Sequence, residues 1–283
     1  MPKCIENGLN QCYNAYWEKI KFKNGCFMRI VIKIGTSTLA YKGGRLNIRR
    51  TEEICRTVCD LKNAGLEIIL VSSGAIGMGA GKLSLKERPR DMATKQAAAA
   101  VGQCELMYTY DRLFGEYNHT AAQILITASD VRSEDRHRNF VATLERLLEL
   151  GTIPVINEND TIATEEIEIG DNDTLAAIVA QSAKADVLVL MSDIDGLFTA
   201  DPRRDKDARL ISEVRELSAD ILSLAGGSGS ELGTGGMKTK LAAAKICMDA
   251  GCDMVIMNGE KPLLLYDIAE GRSVGTRFYA GRK

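Results

Sequence analysis

Histidine is nearly missing from this chain of 283 residues: His119 and His137 are the only two. That scarcity removes the commonest partner for a zinc site, and the eight cysteines do not fill the gap. No C-x-x-C pair occurs, and Cys55 and Cys59, four residues apart on a helical pattern, reach each other but have no further ligands. The cysteines read as reduced, partly buried thiols rather than as a disulfide framework or a metal centre. Excess charge of either sign is absent too. With 36 basic against 38 acidic residues the net charge is −2, which gives no bulk electrostatic case for nucleic acid. No run of Lys and Arg suggests a membrane surface. Long apolar runs are lacking: Ile153–Ile156 and Val187–Met191 are strand-sized, far below the roughly 20 residues of a membrane span. No cleavable apolar leader opens the chain, so the expected location is the cytoplasm.

Two nucleotide fingerprints are missing as well. No G-x-G-x-x-G occurs. Gly81-Lys82 resembles the end of a Walker-type loop, but Leu83 stands where Ser or Thr is needed and Ile76 where the first Gly belongs. Any phosphate site must therefore use another solution.

What is present is an alternation of apolar runs and helical periods from residue 28 onward. Met28–Ile34 reads as a buried strand ending at Gly35. Leu46–Ala64 has helical spacing, with Asn47 as N-cap and Gly65 as the stop. Strands are expected at Glu67–Val71, Gln123–Ile126, Ile153–Ile156, Val187–Met191 and Met254–Met257. Helices are expected at Asp91–Phe114, Phe140–Leu150 (stopped by Gly151), Thr174–Ala183 and Met237–Ala250 (closed by Gly251). Continuous rather than alternating apolar strands, separated by helices, imply an α/β fold with a mostly parallel central sheet covered on both faces. Glu158–Asp173 is polar enough to project as a β-hairpin, and no linker divides residues 28–283. Residues 1–27 hold the only Trp and three of the cysteines without a clear period. Met28 could be the natural start, with a docked N-terminal extension as the rival reading; intact mass from the native source separates them.

In a doubly wound sheet, ligands bind beyond the carboxyl ends of the strands, and the unusual residues collect there. Lys33–Thr38, Ser72–Ala75, Asn157–Asp160, Gly170–Asp173 and Ser192–Gly196 all fit. A sixth segment, Gly233–Lys240, opens a helix. Its three glycines let consecutive N–H groups face one point, and the helix adds its positive end. Thr234, Thr239 and Lys238 or Lys240 supply further donors, so the segment reads as a phosphate cradle rather than a plain glycine linker. Lys33 is costly to bury inside Ile30-Val31-Ile32-Lys33-Ile34 unless an anion pairs with it. Ser72-Ser73-Gly74-Ala75 offers hydroxyl and backbone donors, or merely caps a helix. The two acidic-amide clusters are either surface turns or binding groups, and Asp193 and Asp195 either hold a nucleotide or cap a turn.

Taken in order, V-I-K-I-G-T-S, S-G-A-I, P-V-I-N-E-N-D, G-D-N-D and G-T-G-G-M-x-T-K resemble the amino-acid kinase family, over about residues 28–278. Within it, the chain looks like the branch that phosphorylates the side-chain carboxylate of L-glutamate at the start of proline biosynthesis. The resemblance implies a three-layer αβα sandwich and a Mg²⁺–ATP-dependent transferase. Lys33 and Lys240 would grip the transferring phosphoryl group, and Asp173 would orient them. Ser73, Gly74, Asp160 and Asn172 would hold glutamate. Lys33, Gly35, Ser192, Asp193, Thr234, Gly235, Gly236, Met237, Lys238, Thr239 and Lys240 would bind ATP. No direct metal ligand is assigned, since the metal is expected on the nucleotide phosphates. The resemblance further implies inhibition by proline, a homo-oligomer and a functional link to glutamyl phosphate reductase. Many members carry a C-terminal RNA-binding-like (PUA) domain, which the sequence ending at Lys283 does not show, nor does it show a fused reductase. A free α-ammonium wants an acid such as Asp160, whereas a nucleoside monophosphate would want an arginine cluster. A non-catalytic amino-acid sensor on the same fold is the rival class, and the presence of Lys33, Lys240 and Asp173 together favours catalysis.

Overall fold

The computed structural model describes residues 28–41, 45–87, 89–162, 172–224 and 236–281. Residues 1–27, most of the expected hairpin and Thr234 and Gly235 of the expected cradle lie outside these.

The strand pattern yields an eight-stranded sheet in the order β3-β4-β2-β1-β5-β9-β10-β8. Its strands are β1 (Arg29–Ile34), β2 (Glu67–Ser72), β3 (Ala121–Ile126), β4 (Ile153–Glu158), β5 (Val187–Ser192), β8 (Glu213–Val214), β9 (Asp253–Asn258) and β10 (Thr276–Phe278). A separate pair joins β6 (Leu197–Phe198) to β7 (Leu210–Ile211). Every pairing from β3 to β9 is parallel, and only β10 runs antiparallel to its neighbour β9. The central strand β1 lies between β2 and β5, with Lys33 opposite Val71 and Leu190.

Because side chains alternate along a strand, β1 feeds two cores. Ile30, Ile32 and Ile34 pack with α2 (Ile48–Asn63), α3 (Ala75–Lys82), α4 (Met92–Gly115) and α10 (Leu264–Ala269). Val31 packs on the opposite face with α6 (Glu134–Glu149), α7 (Asn172–Ser182) and α9 (Met237–Asp249). Two fully buried apolar layers on either side of one sheet make the αβα sandwich. The same parity puts Lys33 on the face shared with Val31, towards α7 and α9.

Asn47 caps α2 by accepting from Arg50 N at 3.2 Å, as its position implies. The expected stop residues Gly65, Gly151 and Gly251 all have positive φ. Several expected elements shift at their ends: Glu158 closes β4 and Asn172-Asp173 open α7, so the expected hairpin Glu158–Asp173 loses both its ends to these elements. The helix expected from Phe140 begins at Glu134, because its first turn is polar and exposed but carries Glu134 and Asp135 at the positive helix end. The strand expected from Gln123 begins at Ala121.

Short α1 (Thr36–Leu39), α5 (Ala128–Arg132) and α8 (Ala219–Ser223) complete the helices of the described residues, together with α3, whose only sign in the sequence is the possible cap at Ser72–Ala75. Alternating glycines give Ala75–Lys82 a poor intrinsic propensity. It forms because it packs backbone to backbone on α4. A Cβ on Gly102 would sit 1.8 Å from Ala75 O, and one on Gly79 would sit 1.8 Å from Ala98 O. Gly102→Ala must therefore push α3 away, and with it the Ser73–Gly74 turn. The expected loss is about 1–3 kcal/mol of stability, read as a lowered denaturant midpoint. An unchanged midpoint would mean the two helices separate freely.

Candidate active site

The carboxyl ends of β1, β2, β4, β5 and β9 converge on one edge, where Gly35, Ser73, Glu158, Ser192 and Asn258 stand. The turns there are drawn together by the backbone: Ser73 N donates to Ile34 O at 3.0 Å and Gly259 N to Ser192 O at 2.7 Å. Gly259 also fits against α1, since a Cβ there would meet Thr38 Oγ1 at 2.5 Å.

At the centre of this edge lies Asp173, in the first turn of α7, with only 2% of its side chain exposed. Lys33 Nζ reaches its Oδ1 at 2.7 Å, and Lys240 Nζ reaches its Oδ2 at 2.9 Å. Thr239 Oγ1 donates to the same Oδ2 at 3.2 Å. Burial alone would raise the Asp173 carboxyl, but the two ammonium groups outweigh it and hold it below the usual carboxylate range. Within this described cluster, two cations on one anion leave a surplus of one positive charge. Lys33 and Lys240 are themselves mostly buried, at 13% and 8% exposure, so that surplus sits where water screens it little.

The residue pattern alone left Lys238 and Lys240 as alternatives, while the family resemblance pointed to Lys240. Lys240 turns inward to Asp173, whereas Lys238 is exposed. The helix they share, α9, starts after Gly236 with no side chain capping it among the described residues, so its first N–H groups keep their donor capacity. Met237 and Gly236 are half-buried at that end. Gly35 lies beside the lysine: a Cβ there would make ordinary contact, 3.5 Å from Lys33 Nζ and 3.5 Å from Met191 O. These features fit an anionic phosphate chain.

A second group of residues lies beside this cluster. Gly74 sits at φ 107, a conformation that favours glycine, and turns the chain from β2 into α3. Asn172 Nδ2 donates to Ser73 Oγ at 2.7 Å, to Ser72 O at 3.3 Å and to Asn157 Oδ1 at 3.1 Å. Asn157 Nδ2 in turn donates to Gln103 Oε1 at 3.0 Å. Ser73 and Asn172 are thus brought together as expected, while Gln103 enters unannounced. Its signal was available: position 103 falls on the buried stripe of α4 among Ala99, Gly102, Leu106 and Tyr110, where an amide is out of place. Asp160, two residues beyond β4, is half-buried, and burial pushes its carboxyl up to about 6.

The third group lies past β5. Ser192 Oγ donates to Asp193 Oδ1 at 3.3 Å, and Arg203 pairs with the other oxygen of Asp193 at 3.2 Å. Asp195 accepts from Asn258 Nδ2 at 3.1 Å, which ties the ends of β5 and β9 together. Among the described residues no group of three His, Cys, Asp or Glu side chains could hold a metal. No described helix is long and apolar enough to cross a membrane.

A parallel sheet whose carboxyl edge carries two lysines on a buried carboxylate beside an open helix end defines a phosphoryl-transfer protein without a Walker loop. The chain belongs to the amino acid kinase family, whose pattern matches residues 28–258. Within the family it is similar to proteins named glutamate 5-kinase. That of Clostridium perfringens is 49% identical over 256 residues, covering 89% of this chain and 95% of the relative. That of Clostridium tetani is 52% identical over 251 residues, covering 89% and 94%. Among solved structures, the UMP kinase of Bacillus anthracis superposes with a TM-score of 0.62 at 17% identity, covering 90% of this chain and 97% of that one. The isopentenyl phosphate kinase of T. acidophilum gives 0.62 at 19%, covering 89% and 100%, so the fold is shared well beyond sequence similarity.

Proposed function

We propose that this protein transfers the terminal phosphoryl group of ATP to the side-chain carboxylate of L-glutamate, forming L-glutamyl 5-phosphate, the first step of proline biosynthesis. The observation that carries the reading is the buried Lys33–Asp173–Lys240 triad, supported by the identity to glutamate 5-kinases over nearly their whole length. The reaction presses a carboxylate against a phosphate. At roughly 3.5 Å and an effective dielectric of 20, each pair of unit charges costs about 5 kcal/mol. The surplus charge of the triad and the α9 N–H groups offset that and strengthen as charge spreads over the equatorial oxygens. No covalent enzyme intermediate is required, since the carboxylate is already a nucleophile.

In this reading Lys33, Lys240 and Asp173 are catalytic, with Asp173 holding both ammonium groups in place. Gly35, Ser192, Asp193 and the stretch Thr234–Lys240 bind ATP. Mg²⁺ is carried on the nucleotide phosphates and neutralises part of their charge. Ser73, Gly74 and Asn172 take the substrate's carboxylate side, and Asp160 takes its α-ammonium. The domain doing this spans residues 28–283. The reading places the protein in the cytoplasm, where ATP is held and thiols such as exposed Cys104 stay reduced. It also includes proline as an inhibitor competing for the glutamate pocket, a homo-oligomeric state, and a reductase that consumes the labile product.

The acceptor is tested by ADP release from Mg-ATP with glutamate, aspartate, N-acetylglutamate and UMP supplied separately. Turnover with glutamate alone is expected. Turnover with UMP or N-acetylglutamate instead would move the function within the family, and none at all from folded, ATP-binding protein would favour the sensor.

Asp160 adds a pH signature. Below about 6 its carboxyl is protonated in the free enzyme and cannot pair with an ammonium, so the glutamate KM should rise as pH falls through 6 while the ATP KM stays flat. Asp160→Asn should raise the glutamate KM at every pH and erase this limb. The same shift from 3.8 to about 6 means that the fold favours the neutral acid: its contribution is fullest below 3.8 and is lost as pH rises through 6. At pH 8 the ionised group costs on the order of 3 kcal/mol, and Asp160→Asn should therefore melt at a higher temperature than wild type there. A flat glutamate KM from pH 5 to 8 in the wild type would remove Asp160 from the ammonium site.

A further inference from the structure

Gln103 is an amide in a mostly apolar stripe of α4, 8% exposed, and its Nε2 is buried with no hydrogen-bond partner among the described residues. A buried N–H without an acceptor is a cost that methionine or leucine at the same place would avoid. The compensation is visible on the other atom. Gln103 Oε1 accepts from Asn157 Nδ2 at 3.0 Å, Asn157 Oδ1 accepts from Asn172 Nδ2 at 3.1 Å, and Asn172 Nδ2 donates to Ser73 Oγ at 2.7 Å. The polarity of this relay is anchored at Ser72 O, a backbone carbonyl to which Asn172 Nδ2 can only donate, at 3.3 Å. Turning the Asn157 amide over would put two oxygens together at Gln103 and two N–H groups together at Asn172. Turning Gln103 over would set its NH₂ against that of Asn157.

We propose that Gln103 is a positioning residue that locks the donor direction of the substrate site through this amide relay. Ser72 O calls for the Asn172 NH₂ on that side, and Gln103 Oε1 holds Asn157 in the one orientation that matches it, so Asn172 presents its NH₂ to Ser73. Ser73 Oγ then already accepts, so its own proton is left to donate towards a carboxylate, and Asn172 keeps its Oδ1 for a donor. Without Gln103 Oε1, Asn157 is free to rotate, Asn172 loses its fixed orientation, and the Ser73 proton no longer has one preferred direction. The relay is buried from β4 to α4, so water cannot easily replace the missing acceptor: Asn157 is 2% exposed.

The inference rests on the reading that Ser73 and Asn172 hold the acceptor, and two variants test it. Gln103→Met removes the amide at similar volume. Gln103→Glu keeps an oxygen for Asn157 and puts an oxygen in place of the unpartnered NH₂; burial favours the neutral acid there, so the acceptor is kept without adding a charge. The readout is the KM of whichever acceptor the wild type turns over, set against the KM of ATP, so a change of substrate does not void the test. Gln103→Met should raise the acceptor KM about tenfold with the ATP KM within about twofold, and Gln103→Glu should stay within about threefold of wild type. Three results overturn the proposal: an unchanged acceptor KM in Gln103→Met, equal rises for acceptor and ATP, or a Gln103→Glu defect as large as that of Gln103→Met. If Gln103→Met does not fold, Gln103→Leu replaces it as the variant that removes the acceptor, with the same expected tenfold rise and the same refuting result. A wild type inert towards glutamate but active with another acceptor would sink the proposed substrate and leave the relay to be judged on that acceptor.

Discussion

Lys240→Met should lower kcat about 10³-fold or more while the glutamate KM changes little. The reason is where the charge sits. Lys240 is 8% exposed and bonded to a carboxylate that already has a second lysine, so its ammonium is not needed to neutralise Asp173. Methionine fills a similar volume, and Asp173 keeps its pair with Lys33 at 2.7 Å, so the fold survives. What disappears is the surplus positive charge, which matters most when charge spreads over the transferring phosphoryl group. Steady-state kinetics with a circular dichroism check measures this. A folded Lys240→Met protein with wild-type turnover would remove Lys240 from the reaction.

Asp173→Asn attacks the same cluster from its anionic centre and should damage both stability and rate. Two ammonium groups would then lose the buried carboxylate they share. Breaking a buried pair by removing one partner costs about 3–5 kcal/mol, and here one substitution breaks two pairs. The melting temperature should fall by on the order of 10 °C, and kcat should drop at least as far as in Lys240→Met because both lysines lose their anchor. The sign with pH is also fixed. The Asp173 carboxyl is held low, so its contribution is present above the ordinary carboxylate value of 3.8 and is lost as pH falls below it. The wild type should therefore lose more stability than Asp173→Asn on acidification below pH 4. Equal acid sensitivity in the two proteins would mean that Asp173 ionisation does not support the fold.

The layout of these residues was readable in the sequence because the strands are continuous apolar runs, and the lone lysine in Ile30–Ile34 stood out against them. Strand alternation then predicts the face that Lys33 takes, and α7 and α9 do cover that face. Helix α3 was not readable, because the glycines that let it touch α4 are the residues that weaken it as an isolated helix. The start of α6 was obscured for a related reason: an exposed first turn carries no apolar period. Lys238 and Lys240 were separated only by the family resemblance and not by the residue pattern, since the register of α9 against α7 decides which of them turns inward. Gln103 went unread as a site residue because its role lies in a contact with Asn157, 54 positions away in sequence. Short strands such as β8 and β10, with two and three residues, owe their existence to pairing partners rather than to local pattern.

The central claim is that phosphoryl transfer occurs to the side-chain carboxylate of glutamate, and trapping the product tests it most directly. Incubation with Mg-ATP, L-glutamate and hydroxylamine should give γ-glutamyl hydroxamate in step with ADP, and Lys240→Met should suppress both together. ADP formed with glutamate present but without any hydroxamate, from folded enzyme, would contradict an acyl phosphate product and with it the proposed reaction.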